Sequence, residues 1–209
     1  DAFRANSTSY YVMQYIDGQS LDSLIAAKGR LSTDETVGIT RQVGSALSCM
    51  HSMGMLHLDV KPANVMMADE KTAILIDFGL SKQYDQNGQP ESSTTVGSGT
   101  PGYAPIEQAN HREGKDFPVQ MDVYALGATM LKMLTGQRPP EASDILNFGF
   151  PKKELKQKGV PQPIIGVVEK AMKPQRNHRF QTMEQMMTVL DEAMDKVKEN
   201  EEKQKRRAE

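Results

Sequence analysis

Residues 57–65 read HLDVKPANV, so an acid, an amine and a carboxamide (Asp59, Lys61 and Asn64) fall within six consecutive positions. A second carboxylate, Asp77, follows the apolar run TAILI (72–76), which is parted from VMM (65–67) by Ala68-Asp69-Glu70-Lys71. Two short apolar runs around a polar turn predict a β-hairpin. Antiparallel pairing then sets the residue entering the first strand beside the residue leaving the second, here Asn64 and Asp77. A carboxamide oxygen next to a carboxylate is a hard, oxygen-only pair. It suits magnesium, which keeps several waters and completes its shell with phosphate oxygens. Asp59, in the loop feeding the hairpin, is close enough to accept a proton from an attacking hydroxyl, and Lys61 could neutralise charge on a phosphoryl group in transit. Pro62 restricts how far these groups can wander. Taken singly, each residue reads as well as an ordinary turn former, and a further motif is needed to decide.

Several elements must position these groups. SYYVMQYI (9–16) reads as a buried strand ending at Asp17-Gly18, preceded by a short strand at Ala2 to Arg4. SLDSLIAA (20–27) predicts a short helix stopped by Gly29. Ser32-Thr33-Asp34-Glu35 has the form of a capping box, opening a helix through Val43, Ala46, Leu47 and Met50. Residues 81–107 carry little periodicity and much Ser, Thr, Gly and Pro, the signature of a long functional loop. Beyond it the pattern is helical, with candidates at 120–135, 162–173 and 180–195, the last turning Met183, Met186, Met187 and Leu190 to the core. The end, 195–209, mixes six basic with five acidic residues and reads as a solvated helix extension or linker.

Composition removes several function classes. With 38% hydrophobic residues and a net charge of −2, nothing favours nucleic acid or an anionic membrane surface as partner. The single Cys49 makes no internal disulfide, and the four histidines are too scattered for a zinc site. A reducing, cytoplasmic setting is the simplest reading, either of a soluble protein or of the cytosolic part of a membrane-anchored one.

HLDVKPANV followed by IDFGLS (76–81) resembles the catalytic loop and metal-binding segment of eukaryotic-type protein kinases, with steps of five residues from Asp59 to Asn64 and eighteen from Asp59 to Asp77. The resemblance extends along the chain. GTPGYAPIEQ (99–108) is similar to the substrate-binding loop, MDVYALG (121–127) to the start of the central helix with its Asp122, HRF (178–180) to the last marked Arg, and YVMQYIDG (11–18) to the hinge strand. It implies an α+β, predominantly helical fold: a kinase large lobe over 17–194, a two-stranded remnant of the small lobe over 1–16, and a charged tail over 195–209. It implies that Asp59 orients and deprotonates a Ser/Thr hydroxyl of a protein substrate, that Lys61 contacts the phosphoryl group of ATP, and that Asn64 and Asp77 hold Mg2+. Thr100 would pack against Asp59 and Lys61. For ATP, Met13 would be the gatekeeper, Gln14 and Ile16 would bond the adenine edge through their backbones, Met66 would floor the ring, and Ser20 would lie near the ribose. His57, Phe78, Asp122 and a buried Glu107–Arg179 ion pair would be architectural.

Departures from the family pattern matter as much. Leu58 stands where many such kinases carry an Arg that clasps a loop phosphate, so phosphorylation of the loop is not expected to be the main switch. Pro105-Ile106-Glu107 replaces the usual Ala-Pro-Glu but keeps the Glu. Nothing before Asp1 supplies a Gly-rich phosphate loop, its strand Lys or its helix Glu, so the chain as given is expected to be truncated within the small lobe, with little turnover alone. Its strand edge is then expected to support self-association, which sedimentation at high concentration tests. A scaffold-type pseudokinase and a small-molecule phosphotransferase are the alternatives. The intact Asp59, Lys61, Asn64 and Asp77 set disfavours the first, and the GTPGYAPIEQ loop with Arg179 the second.

Overall fold

The computed structural model describes residues 2–6, 8–77, 82–83, 99–109 and 118–208. The core is built around α4 (Gln120–Thr135), whose side chains are buried on nearly every face, from Met121 through Thr135. A helix apolar all round belongs at the centre of a packed body. Around it lie α2 (Thr33–Ser52), α7 (Gln162–Ala171) and α8 (Met183–Ala208). Ser32 opens α2 with a complete capping box: its hydroxyl accepts from the Glu35 amide at 3.2 Å, and the Glu35 carboxylate accepts from the Ser32 amide at 2.8 Å. The buried face of α2 (Thr36, Val37, Ile39, Thr40, Val43, Gly44, Leu47, Met50) repeats at helical spacing. α4 ends at Gly136, with φ 74°, where a Cβ would stand 1.8 Å from the Gly29 carbonyl oxygen; only glycine allows that approach.

Among the described residues the strands form three small sheets. β1 (Ala2–Ala5) pairs antiparallel with β2 (Thr8–Tyr11). β3 (Gln19–Ser20), β5 (Val65–Met67) and β6 (Ala73–Leu75) form a second sheet, and β4 (Met55–Leu56) pairs with β7 (Lys82–Gln83). The β5–β6 hairpin is closed by Asp69, whose carboxylate accepts from the Lys71 and Thr72 amides, both at 2.7 Å. Gln42 of α2 clasps it from behind, donating to the Lys71 carbonyl at 2.7 Å and accepting from the Ala73 amide at 3.0 Å.

The structure corrects the reading of 9–16 as one buried strand. The register Ala2↔Tyr11 exhausts β1, so the ladder stops at Tyr11. No other described strand runs alongside 12–16, and Val12, Met13 and Tyr15 are 55%, 78% and 85% exposed. The last helix begins at Met183 rather than 180, behind Thr182, whose hydroxyl accepts from the Gln185 amide at 3.1 Å. It then continues through the charged tail to Ala208. There the burial stops after Val197, and good helix formers with i,i+4 pairs such as Lys203–Glu199 keep the helix going. Two helices without a sequence signal, α5 (Ala142–Phe148) and α6 (Lys152–Gln157), are too short to display a period.

Candidate active site

The loop 57–64 runs between β4 and β5, and Ile76 and Asp77 follow β6. β4 pairs with β7, and β5 pairs with β6. The hairpin ladder reaches Asn64, whose carbonyl accepts from the Ile76 amide at 2.9 Å. That bond sets Asn64 and Asp77 at the same end of the hairpin.

Asp59 is the hub. Its Oδ1 accepts from Thr100 Oγ1 at 2.7 Å, and its Oδ2 accepts from Lys61 Nζ at 2.7 Å and Asn64 Nδ2 at 3.0 Å. Lys61 Nζ also donates to Thr100 Oγ1 at 2.9 Å, which closes a triangle of acid, amine and hydroxyl. With side chains 12% and 24% exposed, Asp59 and Lys61 are sheltered yet open to solvent on one side. Asn64 spends its second amide hydrogen on the Asp59 carbonyl at 2.9 Å, so its carboxamide oxygen is turned away from Asp59 and available to a cation. Among the described residues no three His, Cys, Asp or Glu side chains form a metal cage. A cation here would rest on an oxygen pair, waters and phosphate oxygens, which is the preference of magnesium and fits the donor set.

Within the site, backbone conformation is unusual at two points. Leu58 has φ 65° and Asp77 φ 62°, both left-handed. Asp tolerates this region; Leu avoids it unless held. The holder is Asp122, in the first turn of α4, whose Oδ1 accepts from the Leu58 amide at 2.8 Å and whose Oδ2 accepts from the His57 amide at 3.0 Å. Complete burial would push the Asp122 carboxyl up, but the His51 imidazole at 2.8 Å and the two amides outweigh it and hold the group below the usual range. His57 is itself fully buried: its Nδ1 accepts from the Asp59 amide at 3.3 Å, leaving Nε2 to donate to the Ile76 carbonyl at 3.2 Å. It thus ties the Asp59 loop to the residue before Asp77.

The remaining predicted residues that the structure describes fall into three groups. Arg179, its side chain fully buried, forms a two-pronged pair with half-buried Glu107 at 2.5 and 3.1 Å and donates to the carbonyls of Lys173, Gln120 and Pro174. Ser20 and Met66 are register partners, and the Ser20 hydroxyl caps α1 (Leu21–Lys28) by accepting from the Ser23 amide at 3.1 Å. Met13, Gln14 and Ile16 lie on the extended stretch after β2, with Ile16 the least exposed of the three. Phe78 lies outside the described residues. Two buttresses are not among the predicted site residues: His51, behind Asp122, and Gln108, the last residue of the 99–108 motif, whose Nε2 donates to the Leu58 carbonyl at 2.7 Å.

A helical body thus carries an acid and an amine in the loop between two strands, with a carboxamide and a second carboxylate at one end of the hairpin that follows. Residues 1–200 match the protein kinase domain model, and the chain belongs to that family. Among curated proteins it is 31% identical over 195 residues to a probable serine/threonine-protein kinase PknB of Lactococcus lactis, covering 90% of this chain and 30% of that protein. It is 27% identical over 193 residues to the serine/threonine-protein kinase PknB of Mycobacterium tuberculosis (89% and 30%). A probable PknB of Bifidobacterium longum is 29% identical over 195 residues (89% and 28%). The chain therefore spans less than a third of the length of these relatives.

Proposed function

We propose that this chain is the large-lobe catalytic segment of a serine/threonine protein kinase, transferring the γ-phosphoryl group of ATP to protein hydroxyls. The observation that carries the reading is the convergence of Lys61, Asn64 and Thr100 on the Asp59 carboxylate. A carboxylate fixed from three sides is aimed, and one side left toward solvent admits a hydroxyl. Asp59 orients that hydroxyl and takes its proton; Lys61 is placed to meet negative charge on the group in transit. Asn64 and Asp77 would hold Mg2+, which when bound would neutralise phosphate charge. Ser20, Met66 and the 13–16 stretch would border the nucleotide. A cytoplasmic setting accords with ATP as substrate and with an exposed, unpaired Cys49. Among the described residues no helix is long and apolar enough to cross a membrane.

The test uses the full-length gene product with casein as acceptor. Asp59→Ala is expected to lower magnesium-dependent transfer by about 10²- to 10⁴-fold, with ATP binding retained. Transfer unchanged by that substitution would overturn the reading. The same reading holds that loop phosphorylation is not the main switch: Leu58 is 2% exposed, packs with Leu56 and Met121, and offers no cation to a phosphate. Phosphatase treatment should leave activity within about twofold, since no charge-assisted bond is lost at this position; a large drop would argue against it.

A further inference from the structure

The backbone of Leu58, the residue before the carboxylate hub, is gripped at both its amide and its carbonyl. The amide goes to Asp122 and the carbonyl to Gln108 Nε2, at 2.8 and 2.7 Å. Gln108 is a buried polar side chain, 1% exposed, at the end of α3 (Ile106–Ala109). It belongs to the same stretch, 99–108, that supplies Thr100, so this stretch touches the Asp59 unit twice: at a carboxylate oxygen and at the preceding peptide. Space for the carboxamide is made by Gly99, where φ is 70° and a Cβ would stand 2.7 Å from Gln108 Nε2. A left-handed Leu persists only where its surroundings over-determine it. With the Gln108 donor removed, the carbonyl loses its bond and the Leu58 backbone loses one of its two clamps. Rotation there swings the Asp59 carboxylate relative to Thr100 and Lys61.

We propose that Gln108 is a positioning residue for phosphoryl transfer: its carboxamide donor, rather than its bulk, holds the Leu58–Asp59 peptide and so sets where the Asp59 carboxylate points. The inference rests on the kinase reading above for its catalytic consequence, but its structural half does not.

Gln108→Met keeps most of the volume and removes the donor. In the full-length gene product, hydrogen exchange at the Leu58 and Asp59 amides is expected to quicken by about tenfold or more, with the helices still protected. The kcat for casein, normalised to the number of ATP-binding sites, is expected to fall about 10- to 100-fold while the KM for ATP stays within about twofold, because about an ångström of misplacement is costly at the reacting centre and immaterial at the adenine. A merely structural role would lower the number of binding sites and leave kcat per site unchanged; that result, or unaltered exchange at the two amides, overturns the proposal. Should the Met variant not fold, Gln108→Asn, which retracts the donor by one methylene, takes its place with the same two outcomes. If the wild type and Asp59→Ala prove equally inactive, the kinase reading fails, while amide exchange still decides whether Gln108 holds the peptide.

Discussion

Asp122→Asn removes a charge without removing volume, and the structure sets its cost. The carboxylate accepts from the amides of His57 and Leu58 and from His51, with no exposure to water. A carboxamide offers one acceptor oxygen, so at least one of the two backbone amides faces an NH2 group. A buried donor left without an acceptor costs about 1–3 kcal/mol. Losing the charge at the remaining bonds adds about 1 kcal/mol, taking charge-assisted bonds as stronger than neutral ones by that amount. Relaxation of Leu58 out of its left-handed conformation returns part of about 1–2 kcal/mol. The net expectation is a loss of about 2–3 kcal/mol, a large share of the stability of an ordinary domain. In urea, with a slope of about 2 kcal/mol/M, the midpoint should fall by about 1–1.5 M. Because the folded Asp122 carboxyl lies below its unfolded value, its contribution is fully present above about pH 4 and is lost as pH falls further. The gap between wild type and variant should therefore close in acid. A midpoint shift under about 0.5 M at pH 7, with the His57 and Leu58 amides as protected from exchange as before, would refute the assignment of Asp122 as the clamp.

Two further outcomes test the frame around the site. Arg179→Lys leaves three donors for five bonds and buries a charge beside half-paired Glu107; the expected loss is about 3–5 kcal/mol, measured by urea unfolding, and a loss under about 1 kcal/mol would show the pair to be dispensable. Glu35, held at about 2 chiefly by the Lys28 ammonium and then by the Ser32 amide, stabilises the fold above its unfolded value and ceases to as pH falls from about 4.5 toward 2. Glu35→Gln should cost only about 1 kcal/mol at pH 7, since the pair is solvent-exposed, and should flatten the acid limb of the stability curve over that range; an unchanged limb would remove Glu35 from it.

What the sequence discloses of this molecule follows the range of the interactions. The capping box at Ser32, the hairpin turn at Asp69 and the buried stripe of Met183, Met186 and Leu190 each act within one element, so residue type and spacing reveal them. The hub around Asp59 is half local: Lys61 and Asn64 are neighbours in the chain, and the family resemblance supplies Thr100, which lies 41 residues on. The clasp at Leu58 is not local at all. Its partners Asp122 and Gln108 stand 64 and 50 residues away, and His51 meets Asp122 across 71. No periodicity encodes such contacts. The overreach at 9–16 has a matching cause, because an apolar run states that a segment favours cover without stating what covers it.

The two left-handed residues of the site show why the clasp falls where it does. Asp77 needs little persuasion to adopt positive φ, but Leu58 does, and restraint is concentrated there. Its amide goes to α4, its carbonyl to α3, and its side chain into a small apolar cluster with Leu56 and Met121. A polar residue at 58 would adopt the turn more easily but forfeit the third anchor; a glycine would forfeit it too and add freedom. Leucine is tolerable here only because two helices distant in sequence hold its amide and its carbonyl. The direction of the Asp59 carboxylate is thus decided by the packing of α3 and α4 against the loop, and the loop's own residues, HLDVKPAN, name the chemistry without aiming it.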